Sequence, residues 1–167
     1  MQSCVLCGIL IMKIDLIAVG KRMPAWIETA VKEYSKRLPK NIQFKIIEIT
    51  PAIRGKNNNA DNYKQKEQEN IEAALSPKSI IIALDERGKS INSQQLANQL
   101  QTWNDEQQHI SLIIGGTDGL SDSLKKKANQ LWSLSAMTLP HGLVRVMVVE
   151  QIYRAWTITQ NHPYHRE

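Results

Sequence analysis

Cysteine is almost missing from this chain of 167 residues, since Cys4 and Cys7 are its only two cysteines. A Cys-x-x-Cys pair can serve redox chemistry or supply half of a zinc site, but no further cysteine is present to complete a site of four thiolates. We therefore assign the pair no chemical role. The lack of cysteine in the rest of the chain is typical of cytosolic proteins, and we expect the protein in the cytoplasm.

Long apolar runs and an export signal are also missing. The run from Val5 to Met12 is too short to span a bilayer, and no positive residue precedes it, as a secretory signal would require. Met12 is followed at once by KIDLIAVG, which is typical of a first strand. We therefore expect residues 1–11 to be an N-terminal extension, residues 12–167 to form a single domain, and no membrane to be involved.

Several signatures of nucleotide binding and catalysis are absent. Gly88-Lys89-Ser90 resembles the end of a P-loop, but Ala83 stands where that motif needs its first glycine. The turn after the first strand reads VGKRMP and lacks the glycines of a dinucleotide fingerprint. No Ser-His-Asp spacing, carboxylate pair or metal-ligand cluster stands out. NTPases and nicotinamide or flavin enzymes are therefore disfavoured, and no metal site is predicted.

Positive charge is what the composition does offer. Lysine and arginine number 21 against 16 acidic residues, which gives a formal net charge of +5. Such a balance favours an anionic partner, with nucleic acid ahead of a membrane surface. The basic, asparagine-rich loop 51–66 is either a solvated connection or a flexible arm that contacts phosphate.

Strand-like and helix-like segments alternate five times, which predicts an α/β fold with a parallel sheet covered by helices. The nearly continuous apolar runs IIIAL and SLIIG are typical of strands covered on both faces. Asn92 and Gln95 predict a capping box. The predicted strands are residues 13–19, 42–49, 79–85, 109–115 and 132–138, and the predicted helices are residues 24–37, 62–75, 92–103, 120–130 and 142–160.

The predicted last helix is apolar all round. From Leu143 to Val149 only Arg145 is polar, and a helix of this kind is buried on both sides. The sheet covers one side, and a second copy of the protein is the simplest cover for the other. Glu150 and Arg154 stand four residues apart in the order that favours a helical ion pair, so Arg154 has a structural interpretation as well as a functional one.

Candidate chemistry gathers at the strand ends and at the C-terminus. Ligands of open α/β sheets bind at the carboxyl ends of the strands, which points to the loops after Leu84, Gly115 and Thr138. The loop IIGGTDGLS has three glycines, which let the backbone approach a ligand or adopt positive φ. The terminal NHPYHRE is suited to stacking on a base and pairing with phosphate, although a solvated tail fits it equally well.

Three segments, IIGGTDGLS, WSLSAMTLPHGLVRVMVVEQIYRAW and NHPYHRE, resemble the small SPOUT-superfamily methyltransferases that modify N3 of a pseudouridine in 23S ribosomal RNA. VGKRMPAWIETAVKEYSKRLP and RGKN match the same family, so the resemblance extends from Met12 to Glu167. It implies S-adenosylmethionine as cofactor, a C-terminal trefoil knot, and a homodimer formed through the last helix. It also implies ribosomal RNA in the assembled ribosome as the partner.

The resemblance further implies a set of site residues. Pseudouridine N3 must lose a proton, so the catalytic candidates are His141 and His165 as a base and Arg154 as a charge stabiliser. His141 alternatively orients the start of a helix. Tyr153, Tyr164 and Arg166 are the candidates for binding RNA. A non-catalytic ribosome-binding module and a phosphate-binding nucleotide domain are the competing functions. The cofactor candidates are Leu84, Gly115, Gly116, Leu134, Ser135, Ala136, Met137, Thr138 and Leu139.

Overall fold

The computed structural model describes residues 11–55 and 59–165, without the side chain of His165. The predictions for residues 1–10, including Cys4 and Cys7, and the predicted role of Arg166 lie outside the described residues. Strands and helices alternate, and a short 3-10 helix follows at Pro163–His165. The elements are β1 Met12–Val19, α1 Ala25–Arg37, β2 Ile42–Ile49, α2 Ala60–Ala74, β3 Ile80–Ser90, α3 Ser93–Asp105, β4 His109–Ile114, α4 Asp122–Lys127, β5 Gln130–Ser133 and α5 His141–Thr159.

The five strands form one sheet in the order β2-β1-β4-β3-β5, and every pair of neighbours is parallel. This confirms the predicted α/β fold. Side chains from α3 and α5 are buried together with the sheet in one apolar cluster, whereas α2 and α4 contribute to a second. Because all strands run the same way, the loops that follow them share one edge of the sheet, which is called the carboxyl edge below.

The predicted capping box begins α3. The Asn92 side chain accepts from the Gln95 backbone N–H at 2.8 Å, and the Gln95 side chain accepts from the Asn92 N–H at 3.0 Å. Both bonds satisfy donors that the first helical turn would otherwise leave unpaired. Local sequence alone therefore fixes where this helix starts.

The predicted strand 132–138 is wrong, because β5 ends at Ser133. Its partner β3 pairs last at Ser90 with Ser133, so no ladder is available beyond that point. The Ser135 hydroxyl then accepts from the Met137 N–H at 2.9 Å, a local bond that competes with an extended strand. Pro140 occupies the N-cap position of α5.

Two further boundaries differ from the prediction. β3 continues to Ser90, past the predicted end at residue 85, with a shift in register between Leu84 and Lys89. α4 covers only six residues instead of 120–130, because the Asn129 N–H already donates to the Ile81 carbonyl of β3 at 2.8 Å. Pairing with the sheet ends the helix early.

The predicted burial of α5 on both sides is met only in part within one chain, since none of its side chains is fully exposed but several are only half-buried. Helices α1 and α3 of the same chain flank it. Gly142 allows the closest approach, because a Cβ there would collide with Ile27 Cδ1 of α1. One stripe of α5 (Leu143, Val146 and Met147) remains only half-buried.

Candidate functional site

The loop after β4 is a tight glycine turn. The Gly119 N–H donates to the Gly116 carbonyl at 2.9 Å, and Gly119 has a φ of +78°. A Cβ on Gly115 would lie 2.7 Å from the carbonyl carbon of Gly119 and 2.9 Å from the Leu120 nitrogen. The turn therefore has no room for a side chain at Gly115, whatever ligand it approaches.

Gly116 faces a buried carboxylate. A Cβ there would lie 2.7 Å from Glu67 Oε2, and Glu67 Oε1 accepts from the Ala52 N–H at 3.1 Å. Arg54 forms an ion pair of 2.6 Å with Asp118 of the glycine turn. The start of the basic loop after β2 is thus held to α2 through the backbone of Ala52 and to the glycine turn through Arg54. Whether this loop contacts phosphate stays a prediction.

The next loop along the edge belongs to β3, which bulges between Leu84 and Lys89. Gly88 lies directly on the backbone of Trp132 in β5, where a Cβ would collide with the Trp132 carbonyl carbon. Only glycine allows this contact between the two strands. The sequence predicted that Leu84 lies near the end of a strand. In the structure β3 continues past Leu84, and the bulge begins there.

Asp85 in this bulge accepts from Lys125 Nζ of α4 at 2.6 Å. Burial raises the pKa of the Asp85 carboxyl, but hydrogen bonds from Lys125 and from the Arg87 backbone outweigh it, so the pKa lies below its ordinary value. A carboxyl with a lowered pKa stabilises the fold above its ordinary pKa and loses that contribution as the pH falls.

Lys125→Met should therefore lower the free energy of unfolding by about 1 kcal/mol at neutral pH. The loss should shrink as the pH falls below 3.8, the ordinary pKa of the Asp85 group. Urea unfolding across this pH range measures it, with Lys126→Met as the control because Lys126 is an exposed neighbour on α4. An equal loss at every pH would contradict the ion-pair assignment.

The loop between β5 and α5 completes the edge. The Ser133 hydroxyl donates to the Ser135 carbonyl at 2.8 Å, and the Thr138 hydroxyl donates to the Glu86 carboxylate at 3.4 Å. Ala136, Met137 and Thr138 are exposed, and Met137 is 76% exposed. Since β4, β3 and β5 are adjacent, the fold brings the predicted cofactor residues to one place, and His141 follows at the start of α5.

A second cluster lies at the other end of α5. Arg154 Nη2 is 2.9 Å from Glu150 Oε1, which confirms the predicted ion pair, and the guanidinium lies 5.0 Å from the centroid of the Tyr164 ring. The Tyr164 hydroxyl donates to Glu150 at 3.1 Å, and its ring meets Tyr153 edge-on at 4.8 Å. Burial first, then a hydrogen bond with Tyr34 and the Glu150 charge, raise the pKa of Tyr164, so its hydroxyl remains a donor.

Tyr153 is only 8% exposed, and its ring packs on Trp156 and Tyr164. In this arrangement it supports the tail and offers no open face to a base. The backbone of His165 ends the 3-10 helix. Tyr164 is therefore the one predicted RNA-binding residue that the structure describes as partly open.

The predicted catalytic residues are not brought together within one chain. His141 and Arg154 are thirteen positions apart on α5, or about 20 Å along the axis at 1.5 Å per residue. The tail folds back on the distant end of α5 through Tyr164. His141 and the cofactor loops thus lie at one end of the helix, and Arg154 and the tail at the other.

Arg145 is the one polar residue from Leu143 to Val149 of α5, and the sequence gives no partner for it. Its side chain is 2% exposed, donates from Nη1 to Glu48 at 2.7 Å and from Nη2 to the Gly20 carbonyl at 2.8 Å. It borders a cavity of about 370 Å³ between α1 and β2. The sequence did hold a sign of these contacts, namely a single cation within an apolar run. A charge that is buried in such a run needs polar partners.

Among the described residues, no three histidine, cysteine or acidic side chains converge as a metal site would require. None of the helices in these parts of the chain combines the length and apolar character needed to cross a lipid bilayer.

The fold is shared with solved methyltransferase structures. A methylase family protein from Neisseria gonorrhoeae superposes with a TM-score of 0.56 at 18% identity, covering 89% of this chain and 84% of that one. A methyltransferase from Bordetella pertussis gives 0.56 at 12% identity, covering 87% and 95%. A family model described as predicted SPOUT methyltransferase matches residues 12–165. The chain belongs to the SPOUT methyltransferase family.

Particular relatives are closer in sequence. A protein from Cupriavidus metallidurans named ribosomal RNA large subunit methyltransferase H is 49% identical over 158 residues, covering 93% of this chain and 99% of that protein. A protein of the same name from Paraburkholderia phymatum is 48% identical over 155 residues, with the same coverage. Family membership agrees with the resemblance drawn from the sequence.

Proposed function

We propose that this chain transfers a methyl group from S-adenosylmethionine to N3 of a pseudouridine in 23S ribosomal RNA of the large ribosomal subunit. The observation that carries the proposal is the convergence of three loops at the carboxyl edge, after β4, within β3 and after β5. Family membership and relatives named ribosomal RNA large subunit methyltransferase H support the reaction and the substrate. We place the activity in the cytoplasm, where ribosomal RNA is found.

The residues at this edge fit the cofactor. The loop from Leu134 to Leu139 curls over the end of β5 and exposes residues 136–138, so its backbone is accessible to an adenosyl group. The nearby glycine turn keeps side chains out of the way at Gly115 and Gly116. Leu84 supplies apolar surface at the start of the bulge. When bound, S-adenosylmethionine supplies an activated methyl group on sulfur.

The chain's own residues must then orient the base and take the N3 proton. His141 follows the cofactor loop and is a candidate to accept that proton. Arg154 would stabilise negative charge on the deprotonated ring, and Tyr164 would stack on it. His165 and Arg166 are proposed as an alternative base and a phosphate contact in the same tail.

We propose the trefoil knot as the detailed topology of the C-terminal part. Two contacts support it. β3 continues beside β5 as far as Ser90 opposite Ser133, and Thr138 of the next loop returns to Glu86 of the bulge. A knot additionally requires the chain to thread through a loop formed by an earlier segment, and these contacts bring the loop after β5 against the β3 bulge where such threading would occur.

We propose a homodimer in which α5 packs on α5 of a second copy. The half-buried stripe of Leu143, Val146 and Met147 would be covered by that contact. An antiparallel pairing would place the tail of each protomer beside the cofactor loops of the other. It would thereby join the two groups of site residues that one chain holds about 20 Å apart.

The cofactor assignment predicts the behaviour of Gly115→Ala. The added Cβ meets the backbone of Gly119 and Leu120, so the glycine turn must open and S-adenosylhomocysteine binding should be lost in calorimetry. Thr117→Ala, in the same turn, is the matched control because position 117 is exposed and its substitution adds no atoms. Unchanged affinity of Gly115→Ala, with an intact circular dichroism spectrum, would remove this turn from the cofactor site.

Transfer of tritium from labelled S-adenosylmethionine to ribosomes tests the whole proposal. The ribosomes should come from a bacterial strain that lacks the gene for this chain, so that the acceptor is unmethylated. Mapping of the label to N3 of a pseudouridine would support the reaction. Binding to ribosomes without transfer would favour the non-catalytic module instead.

A further inference from the structure

Positive charge is concentrated in residues 20–40 of the described chain. This segment holds six cations against two carboxylates, whereas the net charge of the entire chain is +5. All six cations are exposed: Lys21, Arg22, Lys32, Lys36, Arg37 and Lys40. Among the carboxylates that the structure describes, Glu33 alone pairs with one of these cations, Arg37, at 2.7 Å. The remaining charge is therefore available to an anionic partner.

The same segment also exposes an aromatic ring. Trp26 is 58% exposed, although a tryptophan is normally highly buried. It lies in the first turn of α1, four positions after Arg22 in the sequence. Proteins bind single-stranded nucleic acid with this combination of side chains: exposed aromatic rings stack on the bases, and exposed cations pair with the phosphates.

The loop is held in a fixed shape. Arg145 of α5 donates to the Gly20 carbonyl at 2.8 Å, and the Gly20 N–H donates to the Ile49 carbonyl at 2.9 Å. Arg22 adopts a φ of +57°, which is unfavourable for a residue with a side chain. Strain of this kind persists where the surrounding structure enforces it, and it clusters at binding sites.

The loop also adjoins the candidate active site. Gly142, directly after His141, lies against Ile27 and near Met23, so the start of α5 packs on the loop after β1 and on the first turn of α1. β1 is the neighbour of β4 in the sheet, which puts the loop after β1 beside the glycine turn. RNA bound along this surface would lead towards the cofactor loops.

We infer that Lys21, Arg22 and Trp26 form a binding surface for ribosomal RNA, with Lys32 and Lys36 of α1 extending it. Trp26 stacks on an unpaired base next to the target, and the cations contact the phosphates on either side. The inference rests on the proposed function for its substrate, and it adds which surface holds that substrate. A two-fold contact between copies fits the surface poorly, because it would bring like charges together.

The charge part of the inference is tested with Lys21→Gln/Arg22→Asn, in which asparagine is chosen because it tolerates positive φ. Lys78→Asn/Lys126→Gln is the matched control. It removes the same charge, and Lys78 is likewise exposed with a φ of +62° but precedes β3 at the opposite edge of the sheet. Tritium transfer to unmethylated ribosomes gives KM and kcat over a range of salt concentrations.

For the Lys21/Arg22 variant we expect KM for ribosomes to rise. The slope of log KM against log salt concentration should decrease by about 1.5, because each phosphate that is no longer neutralised contributes roughly 0.7 to 0.9 to that slope. The kcat value and the affinity for S-adenosylhomocysteine should stay within twofold of wild type. Trp26→Ala should raise KM about tenfold at constant salt slope, because it removes stacking and no charge. Trp26→Phe should restore most of the affinity for ribosomes.

Failure of the inference is distinguishable from failure of the proposed function. If the wild-type protein transfers no methyl group, the proposed function is wrong. If it does, and the Lys21/Arg22 variant behaves like wild type or like the Lys78/Lys126 control, this surface does not bind RNA. A changed oligomeric state of the Lys21/Arg22 or Trp26 variants in ultracentrifugation would instead identify the surface as a contact between copies, which also overturns the inference.

Discussion

A mixture of two inactive variants should recover roughly a quarter of wild-type methyltransferase activity, by counting sites in a two-fold dimer. One variant carries Gly115→Ala and lacks a working cofactor loop, and the other ends before Asn161 and lacks the tail. With random association, half of the dimers are mixed. Each mixed dimer holds one complete site, made from the loops of the truncated protomer and the tail of its partner.

The physical reason is the length of α5. The cofactor loops lie at its first residue, His141, while Arg154 lies about 20 Å further along and the tail is held there by Tyr164. A tail that serves its own protomer would have to release the Tyr164–Glu150 hydrogen bond and return along the helix.

Subunit exchange must be verified for the mixing experiment, by fluorescence transfer between labelled protomers. Val146→Glu provides a control, since a charge in the half-buried stripe of α5 should prevent dimerisation and therefore rescue. With exchange verified, an inactive mixture would show that the tail works in its own chain and that the composite site is wrong.

Glu48→Ala should lower the free energy of unfolding by about 3 kcal/mol, because it leaves the guanidinium of Arg145 buried and without its counter-charge. Arg145 is 2% exposed, and its Nε has no hydrogen-bond partner among the described residues, so it has little access to water as compensation. The value lies at the low end for a broken buried pair, since the Glu48 side chain itself is 38% exposed.

The double variant Glu48→Ala/Arg145→Met should be more stable than Glu48→Ala alone. Methionine removes the unpaired charge and fills much of the space, which leaves the Gly20 carbonyl without its donor at a cost of about 1–2 kcal/mol. Urea unfolding measures all the variants. Glu33→Ala, which breaks the exposed pair with Arg37, is the control and should have almost no effect. Equal stability of the single and double variants would refute a penalty from buried charge.

The alternation of elements and the start of α3 followed from local chemistry. Apolar runs bounded by polar turns predict buried parallel strands, and Asn92 with Gln95 sets a helix start by bonds within one turn. The end of β5 did not follow. Residues 132–136 alternate as a strand would, but a strand needs a neighbour, and β3 provides none beyond Ser90.

The sequence by itself determined the fold class, the placement of glycines near strand ends and, through its motifs, the family. Those features depend on neighbours in the chain or on whole segments of similar sequence. Only the tertiary structure decided that Gly88 is required by the backbone of Trp132, that Arg145 holds the loop carrying Lys21 and Arg22, and that His141 and Arg154 lie far apart. Each of these features depends on which segments the sheet and α5 bring side by side. The distance between segments that are far apart in the chain is not encoded by any local pattern of residues.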